Sequence, residues 1–195
     1  MRNRQDHHVR EIDAFDSWIS RMISGGRSAY FLNFMFRQLP DSRRTRNEIM
    51  KDEVCRVYAT LVTREVRRPR SSGSQYAMPR LFGCPDFPVP KRDKHSHRLV
   101  VANEGMHFNG LLVLSPFGRG ELDPEHDLDG EPYVRSNGRL DRIHVTPVDF
   151  GSMAHYTFKS IERGGNWDDI LILPRSPSEL SERRSSLRLP GLTDL

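Results

Sequence analysis

Arg98-Leu99-Val100-Val101-Ala102-Asn103-Glu104-Gly105-Met106-His107-Phe108-Asn109-Gly110-Leu111-Leu112-Val113-Leu114 is the stretch on which the fold turns. Two apolar runs, Arg98–Ala102 and His107–Leu114, read as strands, and only Asn103–Met106 separates them. So short a link suits antiparallel neighbours, because parallel strands need a crossover of a dozen or more residues. The spacing therefore predicts an antiparallel hairpin. Side chains alternate along a strand, so His107 and Asn109 share one face and Phe108 takes the other.

Upstream, Ile12, Phe15, Ile19, Met22 and Ile23 recur at helical spacing over Val9–Ile23, and Gly25-Gly26 ends that helix. The aromatic run Ala29–Phe36 reads as a buried strand. A second helix follows, with Thr45 and Glu48 as a capping box, a stripe of Met50, Val54, Val57, Tyr58 and Leu61, and Pro69 closing it. Arg70 to Lys94, rich in serine, glycine and proline, reads as a loop. Downstream of Leu114 come an acidic loop (Glu121–Glu131), a strand (Arg142–Val148), a short helix (Ser152–Arg163) and a last strand (Asp169–Pro174). This order predicts an α+β fold, an antiparallel sheet with helices gathered on one face in a ferredoxin-like or RRM-like core. Residues 1–28 would be an N-terminal helical extension, 29–174 the domain proper, and 175–195 a polar, proline-punctuated tail.

At 195 residues and 36% hydrophobic content the chain suits one soluble domain. Its longest aliphatic run, Leu111–Leu114, is far short of a membrane span, and no apolar segment follows the charged N-terminus as a secretory signal requires. Cys55 and Cys84 form neither a disulfide framework nor a zinc motif, which points to a reducing, cytoplasmic setting. Only four of the 30 basic residues are lysines, leaving 26 arginines, and the net charge is +4. Arg37–Arg70 alone holds ten basic and five acidic residues. Arginine's planar fork matches phosphate and stacks on bases, so a nucleic-acid partner leads, against a genome that simply prefers arginine codons. Arg43, Arg44, Arg46, Arg64, Arg67 and Arg68 are the candidate phosphate contacts. No G-x-x-x-x-G-K-[ST] loop occurs, so ATP hydrolysis is not expected of this chain.

Two segments carry chemistry. A histidine nitrogen and an amide oxygen two residues apart on a strand, His107 and Asn109, can grip one divalent ion, with Glu104 adding a carboxylate. That mixed N/O set suits Mg²⁺ or Mn²⁺. The same histidine also fits an ordinary hydrogen-bonded strand residue. On the late helix Ala154, Phe158 and Ile161 should face the core, while Tyr156 and Lys159 stand about 60° apart on the opposite side. A lysine one turn from a tyrosine favours the phenolate and can neutralise a phosphate oxygen. A plain solvated helix face is the other reading.

Together, Glu104-Gly105-Met106-His107-Phe108-Asn109-Gly110-Leu111-Leu112 and, 49 positions after His107, Tyr156-Thr157-Phe158-Lys159 resemble the HUH single-strand endonucleases, in the one-tyrosine branch that includes rolling-circle replication initiators. Phe31–Phe36 falls where that family has its first apolar strand motif, and the likeness covers roughly residues 29–173. The family's second motif histidine is Asn109 here. The resemblance implies metal-dependent nicking and joining of single-stranded DNA through a 5′-phosphotyrosine. Tyr156 would be nucleophile, Lys159 its charge partner, and His107, Asn109 and Glu104 the ligands of Mg²⁺ or Mn²⁺. It further implies a single-stranded or hairpin origin as substrate, a separate helicase, and a phage, plasmid or other mobile element in a bacterial host. The competing reading is a non-catalytic nucleic-acid-binding protein on the same fold, with Tyr30, Phe31, Phe34 and Phe36 stacking on bases. A structural or regulatory phage protein is the third.

Other candidates weigh less. His95 and His97 share a face but sit beside Lys91-Arg92-Asp93-Lys94. Glu125, Asp127, Asp129 and Gly130 imitate a calcium loop whose last ligand position is Ser136, which supplies no carboxylate. His144 and His155 stand outside the proposed site.

Overall fold

The computed structural model describes residues 2–40, 42–86, 102–148, 153–163 and 165–175. In chain order the elements are α1 (Arg2–Ser24), β1 (Ser28–Phe36), α2 (Arg43–Glu65), β2 (Arg80–Asp86), β3 (His107–Leu114), α3 (Pro124–Asp127), β4 (Leu140–Val148), α4 (Met153–Thr157), α5 (Lys159–Glu162) and β5 (Leu171–Leu173). The fold is α+β, with one five-stranded antiparallel sheet in the order β4-β1-β3-β2-β5. Among the described residues no helix is long and apolar enough to cross a membrane.

β3 forms where its apolar run predicts, but the hairpin does not. Both edges of β3 are taken, one by β1 (Phe34↔Phe108 to Ser28↔Leu114) and the other by β2 (Asp86↔His107 to Arg80↔Val113). No edge remains for a strand from Arg98–Ala102. Ala102–Gly105 is a 3-10 turn, and residues 98–101 lie outside the described set. Asn103 and Gly105 carry positive φ there, 56° and 79°, which fits the turn preference of Asn and Gly. Asn103 pins this turn to the end of β1: its Oδ1 accepts from Leu39 N at 2.6 Å, and its Nδ2 donates to the Phe36 and Arg37 carbonyls.

The strand that does pair with β3, β2, lies inside the stretch expected to be a loop. Gly83 and Pro85 interrupt its apolar pattern, yet both fit. β5 reaches only as far as Gly83, whose partner is Leu171. At Pro85 β2 is therefore an edge strand, where proline is tolerated. At Gly83 the sheet closes so tightly that an added Cβ would stand 2.3 Å from the Asn109 carbonyl oxygen and 2.5 Å from Phe108 Cε1. A Gly83→Ala substitution should lower stability by about 1–3 kcal/mol, the usual cost of overpacking. Thermal unfolding would read this as a midpoint roughly 2–12 °C lower. An unchanged midpoint would refute the close approach.

Helices cover both faces of the sheet rather than one. Leu32, Phe34, Phe36, Leu81, Phe108, Leu112, Leu171 and Leu173 pack on α2 in one core. Ala29, Phe82, Cys84, Leu111 and Val113, at the alternate positions, pack on Ile12 and Ile19 of α1 and on Ala154, Phe158 and Ile161 of the α4–α5 segment in a second core. α1 begins earlier than its periodicity predicts. In α2, Met50, Val54, Val57 and Leu61 are all at most 1% exposed. Burying each contributes about 1.5–3 kcal/mol, more than the fraction of a kcal/mol each valine costs in a helix. The helix is entered at Ser42, not Thr45, and it ends at Val66 before Pro69 is reached. Glu48 pairs with Arg44 at 3.3 Å instead of capping. The single late helix expected over Ser152–Arg163 is divided at Phe158, whose backbone (φ −102°, ψ 18°) leaves the helical region.

Three of the aromatics of the first strand serve the core. Phe31, Phe34 and Phe36 are buried, so they offer no stacking surface for bases, while Tyr30 is half-buried. The acidic loop contains α3, capped by the Asp123 side chain accepting from Glu125 N. Asp129 Oδ1 accepts from Ile143 N, which ties the loop to β4.

Candidate active site

Lys159 heads α5, Tyr156 stands three residues earlier on α4, and His107 and Asn109 share a face of β3. The structure brings these together around a residue that sequence reasoning missed, Asp86, at the end of β2. Asp86 is 1% exposed, and its Oδ2 accepts from Lys159 Nζ at 2.6 Å and from Asn109 Nδ2 at 3.2 Å. His107 Nε2 lies 3.2 Å from the same oxygen. The sheet register explains the meeting, since Asp86 is directly opposite His107 and Cys84 opposite Asn109. The alternation Phe82, Cys84, Asp86 was the available signal, hidden by the intervening glycine and proline.

The α4–α5 segment is held over β2 by a separate set of contacts. Cys84 Sγ donates to the Thr157 carbonyl at 3.3 Å and meets Ser160 Oγ at 3.2 Å, and Ser160 Oγ donates to the Pro85 carbonyl at 2.8 Å. Burial, partly offset by the Ser160 hydrogen bond, pushes the Cys84 thiol up to about 12. It is a packing group, not a nucleophile. This docking sets Lys159 over Asp86 and turns Tyr156 outward. The Tyr156 ring is 49% exposed, meets Phe31 edge-on at 4.9 Å, and has Lys159 Nζ 4.7 Å from its centroid. The ammonium thus sits over the ring and on Asp86, rather than at the phenol oxygen, where the helical spacing alone suggests it.

Burial raises the Asp86 carboxyl, but the hydrogen bonds and charges of His107 and Lys159 outweigh it and hold the group below the usual carboxylate range. Among the described residues Asp86 Oδ1 is buried without a partner, and so is Oδ1 of Asn33, whose Nδ2 lies 3.5 Å from Asn109 Oδ1. An orphaned buried carboxylate oxygen beside an imidazole and an amide is a hard N/O donor set, and it fits a divalent cation of the Mg²⁺ or Mn²⁺ kind. Asp86, His107 and Asn109 would hold it. Glu104 lies in the 3-10 turn before β3, and its side chain is outside the described residues. Among the described residues no group of three or more His, Cys, Asp or Glu gathers, because this set draws on an asparagine.

His155 does not serve Tyr156. It bridges two elements, with Nε2 2.9 Å from Asp13 Oδ1 of α1 and Nδ1 on Glu162 Oε1 of α5, while Ala154 N donates to Asp16. The Glu162 hydrogen bond foremost, then Asp13, raise its pKa against a smaller opposing effect of burial. A raised folded pKa means that its stabilisation is complete below the ordinary value near 6.5 and fades as pH rises through the folded value. The thermal midpoint of the native protein should therefore fall, as pH rises from about 6.5 through the raised folded value, by a step that His155→Gln lacks. Parallel curves for the two proteins would refute this.

The arginine candidates divide. Arg46 is 5% exposed, with Nε donating to the Pro40 carbonyl at 2.7 Å and Nη1 3.6 Å from Met106 Sδ. It holds the entry to α2, with its guanidinium turned inward rather than offered to solvent. Arg43 and Arg44 line a cavity of about 710 Å³ with Lys51, Asn166 and Asp168. Arg64, Arg67 and Arg68 are exposed at or just beyond the far end of α2, on the sheet face opposite Tyr156. His144 is exposed on β4 opposite Asn33. His95 and His97 lie outside the described residues. Comparison with protein-family models, with curated proteins and with solved structures found no match to this chain.

Proposed function

We propose that the chain is a single-strand DNA endonuclease and strand transferase of the HUH type, on a ferredoxin-like core, initiating replication of a phage, plasmid or other mobile element. One observation carries the reading. Asp86, His107, Asn109 and Lys159, from segments far apart in sequence, converge on one carboxylate oxygen beside the half-exposed ring of Tyr156. Tyr156 Oη attacks the scissile phosphorus, its proton passes to solvent, the P–O3′ bond breaks, and the departing 3′ oxygen takes up a proton. The products are a 5′-phosphotyrosine and a free 3′ hydroxyl, and attack by that or another 3′ hydroxyl reverses the step. A divalent cation held by Asp86, His107 and Asn109 would polarise the scissile phosphate. Lys159, whose ammonium stands over the Tyr156 ring, would neutralise a phosphate oxygen next to the nucleophile. The substrate is a single-stranded or hairpin origin, unwinding belongs to a separate helicase, and the host is bacterial.

The test is incubation of the protein with single-stranded fragments of its own replicon and Mn²⁺, followed by mass spectrometry for a nucleotide adduct. His107→Ala should abolish the adduct yet leave strand binding within about threefold, because a cation serves phosphate polarisation more than docking. Asn109→His should keep or raise activity, since imidazole is the better Mn²⁺ ligand. If neither variant changes anything, the cation site is refuted.

A second reading has an observation in its favour. Lys159 already neutralises Asp86, and both ends of the Asn109 amide have partners, so the cluster is largely satisfied as it stands. On that reading the protein binds nucleic acid without cutting it. Intact strand binding with no adduct under any ion would select it.

A further inference from the structure

Among the described residues the two most exposed large aromatic side chains lie at the end of the sheet opposite Asp86 and His107. Tyr76, in the loop before β2, is 77% exposed, and Phe117, in the loop after β3, is 74% exposed. The backbone that carries each ring is held in place. The Tyr76 carbonyl accepts from Arg27 Nη2 at 3.0 Å and from Ser115 Oγ at 2.7 Å, and that same hydroxyl accepts from Phe117 N at 3.2 Å. One serine thus locks the two aromatic loops to each other, while Arg27 Nη1 also reaches the Met78 carbonyl.

Basic groups surround the pair. Arg119 N bonds the Glu65 carbonyl, which puts the Phe117 loop against the end of α2, and the Arg68 carbonyl accepts from Ser71 N and Ser74 Oγ, which ties that end to the Tyr76 loop. Arg67, Arg68, Arg70 and Arg119 are exposed there. Glu65 is buried with its carboxylate on Leu122 N, and Glu121 is the exposed acid beside Arg119. Exposed aromatic faces on a held backbone among arginines are what an unpaired nucleic-acid strand needs, bases stacking on the rings and phosphates meeting the guanidinium groups.

We propose that the Tyr76–Phe117 end is a second binding surface for single-stranded nucleic acid, separate from the Tyr156 site. Along β3 the His107 end, where Asp86 lies, and the Leu114 end, beside the two rings, stand about 23 Å apart, and Tyr156 sits between them against Phe31, whose partner on β3 is Leu111. The inference rests on the nucleic-acid class of the proposed function but not on strand cleavage.

The experiment is fluorescence anisotropy of the full chain with labelled oligo-dT of graded length, in EDTA, so that neither cleavage nor a cation enters. Tyr76→Ala and Phe117→Ala should each weaken binding about tenfold on longer strands without altering the salt dependence. Arg68→Glu and Arg119→Glu should instead flatten it, by about 0.7 in log–log slope for each phosphate no longer neutralised. Photocrosslinking of 5-iodouracil strands should mark peptides containing Tyr76 or Phe117. A Tyr76→Ala/Phe117→Ala double variant with native melting and undiminished affinity overturns the proposal, as does a native protein that binds no single strand. Cleavage unaffected by loss of the two rings, with unchanged affinity, sinks this surface and spares the nuclease reading. Loss of affinity with no adduct under any ion does the reverse.

Discussion

Tyr156→Phe should eliminate the covalent DNA adduct and the nicked product, a loss of at least about a thousandfold, because it deletes the attacking atom and nothing else. The ring keeps its edge contact with Phe31 and its place beneath Lys159, so the packing that the substitution could disturb is retained. Among the described residues the phenol oxygen has no hydrogen-bond partner, and the melting temperature should stay within about half a kcal/mol equivalent of native. Lys159→Ala should slow the reaction without abolishing it, as it removes charge stabilisation only. Peptide mapping of the native adduct decides the assignment. A nucleotide on Tyr30, Tyr58 or Tyr133, or an adduct that survives in Tyr156→Phe, would overturn it. Tyr58 and Tyr133 are poor rivals on physical grounds, since both are buried and burial raises both phenols.

What was legible in the sequence was local. The alternation His107, Phe108, Asn109 fixed which side chains share a face of β3, and the spacing of Tyr156 and Lys159 against Ala154, Phe158 and Ile161 placed the pair off the core stripe, as found. Pairing was not legible, because the decisive contacts span long separations. Asp86 meets His107 across 21 positions through strand register, and the local alternation Phe82, Cys84, Asp86 says nothing of that partner. Gly83 and Pro85 suppress the strand signal at the place where tight packing and an edge position make them acceptable. Arg46 misled for a related reason. Its guanidinium is consumed by the Pro40 carbonyl at the turn into α2, and an arginine's solvent exposure depends on such a partner rather than on helical phase.

The Asp86–Lys159 pair has the largest expected effect on stability, and it also separates the rival carboxylates. Removing one partner of a buried ion pair strands the other, at a cost of about 3–5 kcal/mol. Asp86→Ala should therefore lower the unfolding midpoint by roughly 6–20 °C for a chain of this length. Adding Lys159→Met should recover most of that loss, because an apolar replacement of a whole buried pair is often close to neutral. Recovery would show that the cost lies in the stranded ammonium and not in a cavity. Activity divides differently. Asp86→Asn keeps the shape and a hydrogen-bond acceptor for Lys159 but loses the charge a divalent cation needs, so adduct formation should fall by about a hundredfold or more and respond poorly to added Mn²⁺. Glu104→Gln should leave it within about threefold if Asp86 supplies the carboxylate ligand. If instead Glu104→Gln is the inactive variant and Asp86→Asn the tolerant one, the cation belongs to the 3-10 turn before β3. Asp86 would then be a structural counter-ion that holds Lys159 over the tyrosine ring.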